Sequence, residues 1–416
     1  MIKKIKVKNF KSFTDLELSL GKVNILIGAN ASGKSNFVQI FRFLRDIAEY
    51  GLENSISMHG GIEYFRNVNI GSGNPFLIEV VYSGEETGFP LETTNKPLGI
   101  LFPQETTYTF AIEFPKNYSE FTITEDKLIS RYKLYKEKGH DISEYGGKTE
   151  IEILISNADG KLNINIDPPT LSVKVADIPL KLLDVVKIPN KSIMLHHLLP
   201  IKHYLLPLII NRSIYDFNPK LSKEAVPIFA KADLEENGSN LVIVIKKILD
   251  DPEKKRMFMN LVSYLLPYVK DIKVDKFTET HFFLRIKEEY SEENYLPAPL
   301  ISDGTINALG LIVALYFQES PLIIIEEPDR GFHPSLISRV IGMMKDATEY
   351  NNKQIIVTTH NPIMVKHADP KNILLVSRGE NGFSHIVKPT RKKDVKIFLE
   401  NGMRLEELYV SELLEI

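Results

Sequence analysis

Cysteine is absent from the 416-residue chain, which excludes disulfides, thiolate metal sites and cysteine nucleophiles and suits a reducing compartment. An excess of either charge is also missing. The 51 Lys and Arg against 54 Asp and Glu leave a formal charge of -3, so any nucleic-acid contact has to come from a local patch. The most apolar stretch, Met194 to Ile210, is broken by Pro200, Lys202, His203 and Pro207, too short and interrupted to span a bilayer. The N-terminus, MIKKIKVKNF, alternates Lys with apolar residues and lacks the continuous apolar core of a secretory signal. A soluble, cytoplasmic protein without a membrane partner is expected. No sustained heptad, internal repeat or low-complexity tract occurs, which excludes a long coiled coil. The 43% hydrophobic content suffices for one large or two ordinary domains.

Patterning supplies the organisation. Ile2 to Val7 alternates at period two, as do Leu16, Leu18 and Leu20, and both stretches read as strands of a half-buried sheet. VNILI (Val23 to Ile27) is a mostly apolar run, and NFVQIFRFLRDIAEY after it has helical spacing through Phe37, Ile40, Phe41 and Leu44. Between Leu52 and Asp233 short β-like runs (FLIEVVY, TYTFAIEF, EIEILI, KLNINI) are separated by Gly, Pro, Asn and Asp, predicting a mostly antiparallel insertion that turns irregular and helical after Ile178. Helical spacing returns at Asn240 to Leu249, Glu253 to Leu266 and Ser335 to Glu349, with strands at Leu322 to Ile325, Gln354 to Thr358 and Ile373 to Val376. Strands alternating with helices predict an α/β domain with a mostly parallel sheet, its halves at residues 1–65 and 234–416 and the inserted lobe at 66–233.

Between the first apolar run and its helix stands GANASGKSN, Gly28 to Asn36, which fits Gly-x4-Gly-Lys-Ser. Its glycines let backbone N–H groups of Asn30, Ala31, Ser32 and Gly33 turn toward phosphates, at a helix N-terminus that favours negative charge. Lys34 is expected to reach the β and γ phosphates of ATP, and the Ser35 hydroxyl to ligate Mg²⁺. An ordinary strand-to-helix turn would not require Lys-Ser directly after Gly. The second motif is LIIIEEPDRGFHP, Leu322 to Pro334, in which four apolar residues deliver two carboxylates to the carboxyl end of a strand, where open α/β sheets bind ligands. Glu326 is expected to hold Mg²⁺ through water, and Glu327 to orient and polarise the attacking water.

Together LISDGTINALGLIVAL, IIIEEPDRGFHP and IIVTTHNP resemble the ABC-type ATPases of the RecF and SMC group, and most closely their small stand-alone AAA-family members, which are related to the ATPase half of OLD-family nucleases. The resemblance covers about 1–65 and 235–416 and implies an ABC-type P-loop ATPase head split by an insertion, β-rich and then helical. It also implies roles by position. Ser302 and the Gly304 backbone, in Ser-Asp-Gly-Thr, match the signature that touches the γ-phosphate of the opposite subunit, with a helix starting near Ile306 aimed at that phosphate. Asp329 matches the loop residue that communicates across the dimer, and His360 the switch histidine on the γ-phosphate. Lys11, Ser12 and Asn36 match positions close to the nucleotide. Two departures stand out: Glu326 replaces the more usual Asp, and neither Gln39 nor Gln104 has the context of the coupling glutamine.

The resemblance therefore implies a homodimer that closes head to tail around two ATP and opens on hydrolysis, acting on DNA or gating an effector in genome maintenance or phage defence. An alternative is a slow-turnover scaffold that restrains a toxin or nuclease partner. A transporter ATPase is disfavoured by the insertion and by Ser-Asp-Gly-Thr, and an intrinsic OLD-type nuclease by the short stretch 361–416 after the switch histidine. Lys3, Lys4, Lys6, Lys8 and Lys11 could line a nucleic-acid groove, but a solvated strand edge is the better account of them, and the same holds for Arg391 to Lys393. No carboxylate accompanies His196, His197 and His203 at a metal-binding spacing.

Overall fold

Val23–Ile27 is buried at every residue, and so is Gln354–Thr359, as strands must be when helices cover both faces of a sheet. In the computed structural model these two strands run parallel and side by side, Ile27 opposite Thr359. The structure describes residues 1–416 except 68, 71–73, 85–88, 94–95, 116–119, 139–140, 145–149, 168–186, 198–211, 292–293, 392–404 and 412–416. His203, Lys392, Lys393 and, of the expected irregular and helical stretch after Ile178, residues 179–186 and 198–211 lie outside the described residues.

Contacts divide the chain into two units. One comprises Met1–Gly21, Asn36–Asn211 and Arg378–Ile386; the other comprises Lys22–Ser35, Arg212–Ser377 and Val387–Ile416. The second unit is built on a parallel sheet in the order Arg212–Tyr215, Leu322–Glu326, Gln354–Thr359, Val23–Ile27, Ile373–Arg378. The strand Arg212–Tyr215 was not anticipated. It lies within the stretch expected to be inserted, yet it pairs with Leu322–Glu326. The helix Asp303–Tyr316 is buried at every position from Thr305 to Leu315, so it shows no amphipathic stripe and belongs to the core, together with Ile337, Val340 and Met343 of the Pro334–Tyr350 helix. It starts at Asp303, three residues earlier than expected, because Ser302 caps it by accepting a hydrogen bond from the Thr305 N–H. An antiparallel hairpin, Val269–Thr278 with His281–Glu288, was also unforeseen, since only Val269, Ile272, Leu284 and Ile286 of its alternating residues are buried.

The first unit is antiparallel. Its strands run in the order Lys161–Asp167, Glu150–Ala158, Thr122–Lys138, Lys96–Glu113, Phe76–Ser83, Ile2–Phe10, Phe13–Ser19. The N-terminal strands therefore share a sheet with strands of the inserted stretch, Ile5 opposite Val80. Phe76–Ser83 alternates buried and half-exposed residues, as expected of a sheet with one covered face. Phe43 of the Lys34–Tyr50 helix meets Phe65 at 4.5 Å, and Phe65 meets Phe76 at 4.7 Å between ring centroids. Buried within this sheet, the Asp126 carboxylate accepts from Tyr108 Oη (2.9 Å), Asn157 Nδ2 (3.0 Å) and the Met194 N–H (2.9 Å), which ties the turn of helix at Met194–His197 to the strands. Burial pushes the Asp126 carboxyl up to about 6 against the pull of those bonds. Among the described residues no helix is long and apolar enough to cross a membrane.

Candidate functional site

At the carboxyl end of Val23–Ile27 the chain passes between neighbours too close for a side chain. A Cβ on Gly28 would lie 2.1 Å from the Val376 carbonyl oxygen and 2.8 Å from Ser32 Oγ. Gly33 (φ 116) and Ala31 (φ 62) then turn the loop into the helix that starts at Lys34. Asn30 and Ala31 are exposed, while Ser32 and Lys34 are buried. Lys34 Nζ folds back over the loop and donates to the carbonyls of Gly28 and Ala29, each at 2.8 Å. Burial lowers the Lys34 ammonium below its ordinary pKa, partly opposed by the charges of Glu327 and Glu326.

Two strands along, past Gln354–Thr359, Leu322–Glu326 ends on the first carboxylate. Ser35 Oγ donates to Glu326 Oε2 at 2.9 Å, across 291 positions of sequence. Two hard oxygen donors in direct contact beside a phosphate-type loop fit Mg²⁺, which keeps several waters and takes few protein ligands. Glu327 follows in the left-handed region (φ 47), its N–H held by the Thr358 carbonyl at 2.8 Å. That strained backbone turns its side chain toward Arg330 and His360. Oε2 accepts from Arg330 Nε (3.0 Å) and Nη2 (2.9 Å), and Oε1 lies 2.9 Å from His360 Nδ1. Burial would raise the Glu327 carboxyl, but the bonds and charge of Arg330, with those of His360, hold it below its ordinary value.

His360 is the first residue beyond Gln354–Thr359, a strand one residue longer than expected, and its side chain is 56% exposed. Asp329 faces inward: nearly buried, it accepts from Thr359 Oγ1 at 3.0 and 3.1 Å and so fixes the end of the strand that carries His360. Ser302 Oγ accepts from the Thr305 N–H and lies 2.7 Å from Thr305 Oγ1. A Cβ on Gly304 would come 2.3 Å from the Gly331 carbonyl oxygen, so the signature turn rests directly on the loop that follows Glu327. Asn307 Nδ2 donates to the Arg330 carbonyl at 3.0 Å and reinforces that contact. Arg330, Gly331, Asn307 and Thr359 were all missed in the sequence. A pocket of about 410 Å³ opens here, lined by Glu327, Asp329, Arg330, Phe332 and His360 among others.

Of the remaining expected positions, Lys11 (φ 47) and Ser12 form the turn between Ile2–Phe10 and Phe13–Ser19. Ser12 Oγ accepts from Asn36 Nδ2 at 2.7 Å and from Ser384 Oγ at 2.8 Å, so Ser12 and Asn36, one residue past Ser35, are brought together. Burial lowers the Lys11 ammonium. Gln104 bonds its neighbour Phe102, and Gln39 sits half-buried in its helix. Three N-terminal lysines are paired with acidic residues of the adjacent strand: Lys4 with Glu17 at 2.8 Å, Lys6 with Glu17 at 4.0 Å and Lys8 with Asp15 at 3.7 Å. His196 meets the Ala48 carbonyl and His197 the Ser192 hydroxyl, and no cluster of metal-ligating residues occurs among the described residues.

Comparison with known proteins places this geometry. Residues 23–365 match the family described as "AAA domain, putative AbiEii toxin, Type IV TA system". A Helicobacter pylori protein named ATP/GTP phosphatase is 20% identical over 381 residues, covering 89% of this chain and 88% of that protein. Protein ea59 of Escherichia phage lambda is 26% identical over 96 residues, 23% of this chain and 17% of that one. Among solved structures, an SMC head bound to the C-winged helix domain of ScpA superposes with a TM-score of 0.52 at 16% identity, covering 93% of this chain and 97% of that chain. The likeness shows the fold, an ABC-type P-loop ATPase head.

Proposed function

The chain belongs to that AAA-domain family, and from this footing we propose that it is an ATP-binding and hydrolysing switch that dimerises head to tail around two ATP molecules and gates an effector. One observation carries the reading. Residues from distant parts of the sequence meet at the carboxyl ends of three consecutive parallel strands, Ser35 on Glu326 across the middle one and Glu327 on His360 between neighbours. Lys34 exchanges its bonds to the Gly28 and Ala29 carbonyls for the phosphates, while backbone N–H groups from Asn30 to Gly33 and the helix N-terminus receive them. Ser35 and Glu326 would hold Mg²⁺, which would neutralise charge building on the phosphate oxygens. Glu327 accepts a proton from the attacking water, and His360 orients Glu327 from the other side. Ser302 and the Gly304 backbone serve the phosphate of the second protomer, and Asp329 links that contact to the His360 strand through Thr359.

The name of the Helicobacter relative supports hydrolysis. The toxin–antitoxin description of the family favours a protein effector over DNA, as do the carboxylates that neutralise the lysine face. The inserted stretch from 66 to 211, shorter than expected because Arg212–Tyr215 joins the parallel sheet, would set what is gripped, in a cytoplasmic setting. A slow scaffold that restrains a toxin or nuclease remains the second reading, favoured by the occupied state of Glu327.

The test is the solution mass of Glu327→Gln by light scattering, with and without Mg-ATP. Removing the base while preserving shape should slow hydrolysis by roughly 10²–10⁴-fold and trap the bound state. A mass that doubles only with ATP is expected. A monomer under both conditions would refute the trans role of Ser302.

A further inference from the structure

Glu327 is held on both oxygens before any water reaches it. Arg330 donates twice to Oε2, from Nε at 3.0 Å and Nη2 at 2.9 Å, and His360 Nδ1 sits 2.9 Å from Oε1. A water bound to Glu327 therefore competes with a charge-assisted pair for the Oε2 lone pairs. The third nitrogen of Arg330 faces another way. Nη1 is 3.5 Å from Asp216 Oδ1 and 3.4 Å from the Phe217 carbonyl oxygen. Asp216 is the first residue beyond Arg212–Tyr215, which pairs directly with Leu322–Glu326, so the two carboxylates flank the guanidinium from neighbouring strand ends.

The backbones on both sides are pinned. The Arg330 N–H donates to the Glu327 carbonyl at 3.0 Å and its own carbonyl accepts from Asn307, while the Asp216 N–H donates to the Glu236 carbonyl at 2.9 Å. The guanidinium, 46% exposed, is the part with room to move.

We propose that Arg330 is a positioning residue shared between two carboxylates: on Glu327 it fills Oε2 and withholds that oxygen from an attacking water, and drawn to Asp216 it frees it. The resting geometry favours Glu327, since that pair has two short bonds and the Asp216 contact is long. Asp216 is thus the acceptor that makes release possible, 111 positions earlier in the chain than Glu327 (327 − 216). The inference rests on the ATPase reading above.

The test is steady-state ATP hydrolysis by the full chain as wild type, Arg330→Gln, Asp216→Asn and the double variant, with ATP affinity measured separately by calorimetry. Arg330→Gln is expected to raise kcat by roughly five-fold with KM and Kd unchanged, because a charge-assisted competitor for Glu327 is gone. Asp216→Asn should lower kcat by a similar factor, since the guanidinium then has no second carboxylate, and the double variant should behave like Arg330→Gln. Arg330→Lys, which keeps the charge but offers one nitrogen where Arg has three, should fall between wild type and Arg330→Gln. If both single substitutions lower kcat, or if Asp216→Asn still lowers it in the Arg330→Gln background, the shared-arginine proposal is wrong while the ATPase reading stands. If the wild type binds no ATP that Lys34→Ala abolishes, the ATPase reading fails and takes this inference with it.

Discussion

The parallel sheet of the second unit and the antiparallel sheet of the first put their polar groups in opposite places. In the parallel sheet, Val23–Ile27 and Gln354–Thr359 are buried throughout, and the reactive groups are the first residues beyond a strand: Gly28 after Ile27, Glu327 after Glu326, His360 after Thr359, Asp216 after Tyr215. In the antiparallel sheet, polar groups sit mid-strand and are bonded to each other, Asp126 to Tyr108 and Asn157, and Thr106 to Ser130. Covering both faces of a sheet leaves only its ends for ligands, whereas a sheet with one covered face can bury a polar network that serves the fold alone. If that distinction is correct, equal injuries to the two sheets should read out differently.

The largest contrast comes from two glycines. A Cβ on Gly28 would lie 2.1 Å from the Val376 carbonyl oxygen, and one on Gly99 would lie 2.1 Å from that of Tyr135. Both neighbours are backbone, so neither can step aside cheaply. Gly28→Ala should displace the loop and weaken ATP binding by roughly ten-fold or more, since loop N–H groups must point at the phosphates. Gly99→Ala should cost about 1–3 kcal/mol of stability as an overpacked site and leave ATP affinity unchanged. Calorimetric titration of ATP and urea unfolding of both variants check this. Equal losses of affinity would erase the contrast.

That contrast also explains what was legible in the sequence. Short buried strands between glycine-rich or acidic ends announce themselves, and VNILI with GANASGKS and LIII with EEP located the centre of the site and the core of the parallel sheet. Arg212–Tyr215 did not, because Arg-Ser-Ile-Tyr is too short to show a period and finds its place only by pairing with Leu322–Glu326. Thr122–Lys138 was hidden for another reason. Its exposed face is rich in Lys, Glu and Arg, and its register is set by partners on both sides, Lys96–Glu113 and Glu150–Ala158. Around the site, Glu327 and His360 followed from motif position, whereas Arg330, Asn307 and Thr359 act through side-chain contacts with residues 3, 23 and 30 positions away, which no local pattern encodes.

A smaller effect is expected from the buried network. Asp126 has an ordinary pKa of 3.8 and is raised by burial to about 6 in the folded protein. Between those values the folded state holds a proton that the unfolded chain has released. The contribution to stability is therefore fully present below 3.8 and lost as pH rises through about 6. Asp126→Asn keeps an acceptor for Asn157 and Met194 and carries no charge to desolvate. Relative to the wild type it should gain on the order of 2–3 kcal/mol between pH 4.5 and 7.5. Carboxyls held low, such as Asp46, are common to both proteins and cancel in the difference. Urea midpoints across that range provide the measurement, and a pH-independent gap would mean that Asp126 is charged in the fold at all these values.

The smallest effect lies on the exposed strand face. Lys4 and Glu17 meet at 2.8 Å with side chains 36% and 54% exposed, and Lys8 meets Asp15 at 3.7 Å with both more exposed still. Such pairs add little to stability and are screened by salt, so Asp15→Asn with Glu17→Gln should hardly change the melting temperature. The informative readout is duplex DNA binding by fluorescence anisotropy. In the wild type the carboxylates offset the lysines, and no salt-sensitive binding is expected through this face. The double variant leaves Lys4, Lys6 and Lys8 opposed only by Glu79 of the other neighbouring strand, and should gain weak binding at low salt whose logarithmic salt slope stays at or below about 3. A wild type that already binds with that slope, and a variant that adds nothing, would make the lysine face a nucleic-acid surface after all and return DNA to the list of things the switch acts on.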